Sequence, residues 1–164
     1  MYRHSPLDRT GMPPGIPYIV GNELAERFSF YGMRSILLAY MTLYLCQPDG
    51  EFAGFSDKQA EGWVHLFIGS AYLFPILGGI VSDAFLGKYR TILWLSIVYC
   101  LGHICLACME WIGDTRILLL SGLVLIALGS GGIKPCVSAH VGDQFGKANS
   151  RLLPRVFGWF YLSI

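Results

Sequence analysis

From Gly62 to Ser82 the chain runs 21 residues without Asp, Glu, Lys or Arg, and from Thr91 to Met109 it runs another 19. A helix needs about 20 predominantly apolar residues to cross the hydrocarbon layer of a bilayer, so both stretches predict membrane-spanning helices. Ile117 to Ile133 adds 17 uncharged residues and continues past a single Lys134 through Val137 and Val141, long enough to span. An earlier segment, about residues 20–46, carries Glu23, Glu26, Arg27 and Arg34 in its first half, and a further apolar stretch begins near Pro154. The expected organisation is a cytoplasmic tail over 1–19, transmembrane helices over 20–46, 57–84, 89–111 and 115–142, a cytoplasmic link over 143–153, and the start of a truncated fifth helix over 154–164.

The links are short, so consecutive helices should run antiparallel, and excess Lys and Arg marks the cytoplasmic side. Arg3 and Arg9 precede the first helix, Lys88 and Arg90 separate the second from the third, and Lys147, Arg151 and Arg155 follow the fourth. In the alternate links Lys58 stands among Asp49, Glu51, Asp57 and Glu61, and Arg116 stands with Glu110 and Asp114. The expected setting is a plasma or inner cell membrane with the amino terminus cytoplasmic. Trp63, Trp111 and Trp159 fall near segment ends, as interfacial aromatics do. The first 18 residues are polar and broken by Pro13, Pro14 and Pro17, without the apolar core of a signal peptide.

Composition narrows the class. Of 164 residues 54% are hydrophobic and 14% charged, where a soluble domain carries about 25% charged residues. With a mean hydropathy of +0.51, too little polar material remains to cover a soluble surface. A net charge of +1 supplies no basic footprint for nucleic acid. Cys100, Cys105 and Cys108 reproduce a C-x4-C-x2-C iron–sulfur spacing, but a helix there would scatter the thiols. They are read as packed, inert thiols, and no metal or cofactor is expected beyond the proton.

Ionisable groups inside a membrane helix are costly and by default mark a pathway or relay. At about 100° per residue, Glu23, Glu26, Arg27, Tyr31 and Arg34 fall within roughly 140° of one another, as one inward-facing polar stripe. The alternative is that the helix starts later and leaves the two acids wet. Lys134 lies at comparable depth and is expected to pair with Glu23 or Glu26. The glycine-rich run before it is not a phosphate loop, because Pro135 stands where that pattern needs Ser or Thr; close helix packing with a proline kink accounts for it. His65 and Tyr72, seven apart, share a face of the second helix, and His65 is either a proton acceptor or a hydrogen-bonded interface histidine. His103 and His140 are read as packing residues. The stretch from Gly79 through Asp83 and Gly87 to Lys88 and Arg90 gathers one acid and two bases on a tight turn, a gate or topology clamp. A membrane-embedded hydrolase could use His65 and Asp83, but 18 residues of helix separate them by about 27 Å at ~1.5 Å per residue, so no catalytic site is expected.

Three of these stretches, in order, resemble one family. ELAERFSFYGMR at Glu23–Arg34 is similar to the E-x-x-E-R-F-x-Y-Y-G motif of the proton-dependent oligopeptide transporter (peptide/nitrate transporter) family. The Gly79–Arg90 turn resembles the signature between helices 2 and 3 of the major facilitator superfamily, and GSGGIKPCVSAHVGDQF at Gly129–Phe145 resembles the family's helix 4 motif. The resemblance implies an all-α integral membrane fold, the amino-terminal part of a major facilitator bundle with four transmembrane helices and the start of a fifth. It implies proton coupling at Glu23, Glu26 and His65; substrate binding at Arg27, Tyr31, Arg34, Tyr72 and Lys134; and gating at Asp83, Lys88 and Arg90. The implied activity is proton-coupled symport of di- and tripeptides by alternating access, completed by a carboxy-terminal half not present here. A nitrate or other small-anion transporter is the alternative within the family, and a non-transporting truncated membrane protein the one outside it. Phe30 replaces the first tyrosine of the Tyr-Tyr pair, Cys136 stands where the motif usually has Asn, and His140 where an aromatic is common.

Overall fold

The computed structural model describes residues 10–163, and its regular elements are all helices. Arg3 and Arg9, two of the charges used for orientation, lie outside the described residues. Helix α1 (Ile16–Ala39) runs on into a π-helical turn at Tyr40–Tyr44, and α2 (Asp57–Val81) runs into a second one at Ser82–Leu86. Helix α3 is Lys88–Cys108 and α4 is Thr115–Asp143; a 3-10 turn at Ser150–Leu152 leads into α5, Leu153–Ser163.

The boundaries follow local chemistry. Helix α1 starts at Ile16, ahead of the expected residue 20, because Pro17 sits in the first turn, where its missing N–H has no intrahelical partner to lose. The Ser56 N–H donates to Gln59 Oε1 at 3.3 Å and opens α2. Gly87, at φ 77°, separates α2 from α3, and its N–H closes on Ser82 O at 2.9 Å. Helix α3 ends at Cys108, short of the expected residue 111, because Gly113 turns the chain at φ 73°. Asp114 then caps α4, accepting from the N–H groups of Arg116 and Ile117 at 2.9 and 3.1 Å.

Helices α2 with its π turn, α3 and α4 are long and apolar enough to cross a membrane by length and composition. Helix α1 has the length, 24 residues or about 36 Å at ~1.5 Å per residue, but its charges keep it below that hydropathy. Helix α4 is the centre, packed most extensively against α3 and α2. Its glycines set that contact. A Cβ on Gly129 would stand 2.8 Å from Tyr99 Cβ, one on Gly131 would stand 2.9 Å from Ala71 O, and one on Gly78 would stand 2.5 Å from Gly132 Cα. Small residues let backbones approach where lipid supplies no hydrophobic drive between helices, which is the role expected of the glycine-rich run.

Polar clasps close both ends. At the end holding the α1–α2 and α3–α4 loops, Arg116 donates to Ala53 O and Gly54 O at 2.7 and 2.8 Å and lies 5.0 Å over the Phe55 ring, while the Tyr40 hydroxyl bonds Glu110. At the opposite end the buried Asn149 accepts from Gly146 N at 2.8 Å and donates to Gly11 O at 3.2 Å, tying the link after α4 to the segment before α1.

Candidate functional site

Helix α1 turns three charged side chains into the bundle. Glu23, Glu26 and Arg27 are 2%, 7% and 5% exposed, which rules out the reading that leaves the acids wet. Arg27 Nε donates to Glu23 Oε1 at 2.7 Å, one helical turn back. Glu26 Oε2 lies 3.2 Å from the same nitrogen, yet among the described residues neither oxygen of that carboxyl has a hydrogen-bond partner. The Ser130 hydroxyl on α4 faces it without reaching bonding geometry. One guanidinium therefore serves two buried carboxylates and binds only one of them well.

Lys134 departs from the expected pairing. Among the described residues no carboxylate comes within ion-pair distance of its ammonium. The half-buried side chain instead lies 5.5 Å over the Phe30 ring and 5.2 Å over the Tyr72 ring, within electrostatic reach of Glu26, Glu23 and Arg27. Phe30 is held by Phe67 and Tyr31, with ring centroids at 5.6 and 5.7 Å. The residue that departs from the family motif thus forms one wall of an aromatic cage around the lysine. A cation over aromatic faces keeps its N–H donors available.

The other expected residues divide by position. Tyr31 and Arg34 continue the α1 stripe but are exposed, Tyr31 at 44%; Tyr72, at 70%, reaches the cluster only through Lys134. His65 is exposed on α2, two turns from Tyr72, about 10 Å at ~1.5 Å per residue, and is not brought to the ion cluster. At the α2–α3 turn the expected grouping changes as well. Lys88 Nζ donates to Asp143 Oδ2 at 2.7 Å, joining the start of α3 to the end of α4, whereas Asp83 is exposed in the π turn and pairs with neither base among the described residues. Arg90 is also exposed. In the π turn it is Ser82 that packs inward and is buried, which leaves the adjacent Asp83 on the outer side, within electrostatic reach of Cys136 on α4.

Sequence reading missed Tyr99, Ser29, Ser130 and Asp143. Tyr99 on α3 donates to Glu26 O at 3.1 Å and lies 2.5 Å from Ser29 Oγ. Nothing in the uncharged run from Thr91 to Met109 marks it, whereas Ser29, three residues after Glu26, was within reach of a periodicity argument. Among the described residues no cluster of His, Cys, Asp and Glu could hold a metal ion, and the five cysteines are unbridged.

Residues 89–164 match the model of the POT family. The chain is 42% identical over 168 residues to solute carrier family 15 member 1 of Oryctolagus cuniculus, covering 94% of this chain and 23% of that protein. It is 42% identical over 156 residues to peptide transporter family 1 of Drosophila melanogaster, covering 93% and 20%. Its fold is similar to the crystal structure of the POT family transporter PepTSo, with a TM-score of 0.83 and 44% identity over 94% of this chain and 30% of that one. The chain spans less than a quarter of the length of these curated relatives, which are transporters and not enzymes.

Proposed function

Because the chain belongs to the POT family, as an all-α integral membrane segment corresponding to the amino-terminal part of a major facilitator bundle, we propose that it supplies the proton-coupling segment of a di- and tripeptide symporter. The observation that carries this reading is the buried Glu23–Glu26–Arg27 cluster beside a lysine whose donors are unspent. Glu26 takes the coupling proton. As a carboxylate its oxygens lack donors, and protonation makes it a donor with Ser130 Oγ before it. Arg27 and Lys134 hold the substrate carboxylate, Lys134 through N–H groups that the Phe30–Tyr72 cage leaves open, with Tyr31 and Arg34 on the adjoining face. Neutralising Glu26 frees Arg27 from its second carboxylate, so proton and peptide loading reinforce each other.

The complete transporter works by alternating access between two helix bundles, with the amino terminus and the Lys88–Asp143 pair on the cytoplasmic side. Lys88, Asp83 and Arg90 then belong to the cytoplasmic gate, and His65 to the outer path of the proton. The test is uptake into proteoliposomes by a complete polypeptide containing this chain. An inward proton gradient should accumulate a labelled dipeptide, and excess nitrate should not compete. Accumulation of nitrate, with no dipeptide uptake, would replace this reading with the anion transporter.

A further inference from the structure

We propose that Tyr99 is a positioning residue for the proton-coupling acid: its hydroxyl reaches from α3 to the carbonyl of Glu26 and fixes the stretch of α1 that carries this carboxyl. The inference rests on the peptide-symport reading and extends it to a helix outside the motifs.

The hydrogen-bond accounting singles out the hydroxyl. Glu26 O lies 3.0 Å from Ser29 Oγ and 3.1 Å from Tyr99 Oη, and the two hydroxyls lie 2.5 Å apart. A carbonyl has two lone pairs, and in a helix interior one serves the N–H four residues on. One site remains for two donors. The arrangement that satisfies every group has Ser29 donating to Tyr99 and Tyr99 donating to Glu26 O. Tyr99 is thereby the hydrogen-bonded link from α3 to the α1 turn that holds the coupling acid.

Packing makes this reach specific. Gly129 on α4 admits Tyr99, since a Cβ there would stand 2.8 Å from both its Cβ and its backbone nitrogen, and the next residue, Ser130, faces the Glu26 carboxyl. Helices α1, α3 and α4 therefore converge on one residue. On its far side the Tyr99 ring meets His103 edge-on, with centroids 4.6 Å apart. Tyr99 is buried and its hydroxyl is engaged by Ser29 and Glu26 O, so it acts through α1. The ionisable groups around the acid are Glu23 and Arg27 on α1, Tyr99 itself and beyond it His103 on α3, and Lys134 on α4.

Tyr99→Phe keeps the ring and removes the link. In a complete polypeptide containing this chain, the protonation of Glu26 is followed by infrared difference spectroscopy of the carboxyl band, with Glu26→Gln as the assignment control. One hydrogen bond corresponds to about a two- to twelvefold change in an equilibrium constant, so the midpoint should be displaced by about 0.4 to 1 pH unit. Proton-driven dipeptide accumulation should fall at least about fivefold, while peptide counterflow without a proton gradient stays within twofold. Ser29→Ala removes the donor that the Tyr99 hydroxyl accepts and so weakens the link without cutting it; it should move the midpoint in the same direction by a smaller, still resolvable amount, and if Tyr99→Phe fails to fold, an unmoved midpoint in Ser29→Ala overturns the proposal. An unmoved midpoint, or parallel losses of accumulation and counterflow, would make Tyr99 a packing residue and overturn the proposal. Wild-type protein without dipeptide uptake would sink the peptide reading, and the infrared midpoint would still decide this one.

Discussion

Replacing Arg27 with alanine should destabilise the protein far more than replacing Lys134, although both are the cations of one cluster. Arg27 holds Glu23 by a 2.7 Å hydrogen bond and lies 3.2 Å from Glu26, and all three side chains are at most 7% exposed. Its loss strands two carboxylates, and stranding a charge in a buried pair costs about 3–5 kcal/mol. Lys134 is half-buried and makes contacts of 5.5 and 5.2 Å to two aromatic rings. Such contacts contribute about 0.5–2 kcal/mol, and no hydrogen-bonded carboxylate is left behind. The second perturbation is the double variant Arg27→Ala/Glu23→Gln, which removes the better-bonded acid along with its partner and should recover a large part of the loss. The assay is unfolding of the purified, complete polypeptide in detergent, read as a double-mutant cycle. Equal destabilisation by Lys134→Ala and Arg27→Ala, or no recovery in the double variant, would show that Lys134 is the counter-ion of the acids and that the arrangement around Arg27 is misread.

Other outcomes follow from single contacts. Lys134→Ala should weaken binding of a dipeptide much more than of its carboxyl-amidated analogue, measured by competition for uptake; equal weakening would leave the lysine a structural role. Asp143→Asn should slow turnover with substrate affinity within about twofold, and should do so more than Asp83→Asn, because Asp143 holds Lys88; its effect on unfolding should stay below about 1 kcal/mol, as for other exposed pairs. Gly78→Val should separate α2 from α4 and reduce folded yield, since even a Cβ there would stand 2.5 Å from Gly132 Cα; normal expression and melting would show that the two helices can part without loss.

The helices were legible because the bilayer imposes a length, and runs of 17 to 21 uncharged residues leave little else for the chain to form. Their ends were less so. Pro17 inside the first turn of α1 and the π turns after α1 and α2 depend on backbone geometry that composition does not encode. The site divides the same way. Helical spacing puts Glu23, Glu26 and Arg27 on one stripe, but it does not say which cation each acid takes. Glu23 takes Arg27, four residues on along its own helix, and Lys134, at a comparable depth on another helix, finds two rings instead. Depth along a helix constrains pairing only weakly; rotation about its axis decides it, and that is set by neighbours such as Gly129 and Gly131 that carry no charge. Tyr99 escaped for the same reason, being one apolar-looking residue in a run of them until α3 is laid against α1.

The two kinds of contact assign different work to the helices. Helices α2, α3 and α4 meet backbone to backbone through Gly78, Gly102, Gly122, Gly129, Gly131 and Gly132, and interlocking of that kind has one register and little freedom to slide. Helix α1 meets them more sparsely; Ile16, Phe30 and Leu37 pack into the apolar core, and between them its inner face makes polar contacts: the Tyr99 link, the Glu26 carboxyl facing Ser130 and the ring contact that joins Phe30 to Lys134. Polar contacts can be exchanged. In the proposed mechanism a proton on Glu26 or a carboxylate at Lys134 changes what α1 offers its neighbours without disturbing the glycine-packed slab. Differential contact of this kind is what a ligand needs to shift a conformational equilibrium. On the proposed symport reading, the charges that bring α1 below the hydropathy of an ordinary spanning helix are the means by which the least firmly packed long helix of the bundle responds to proton and peptide.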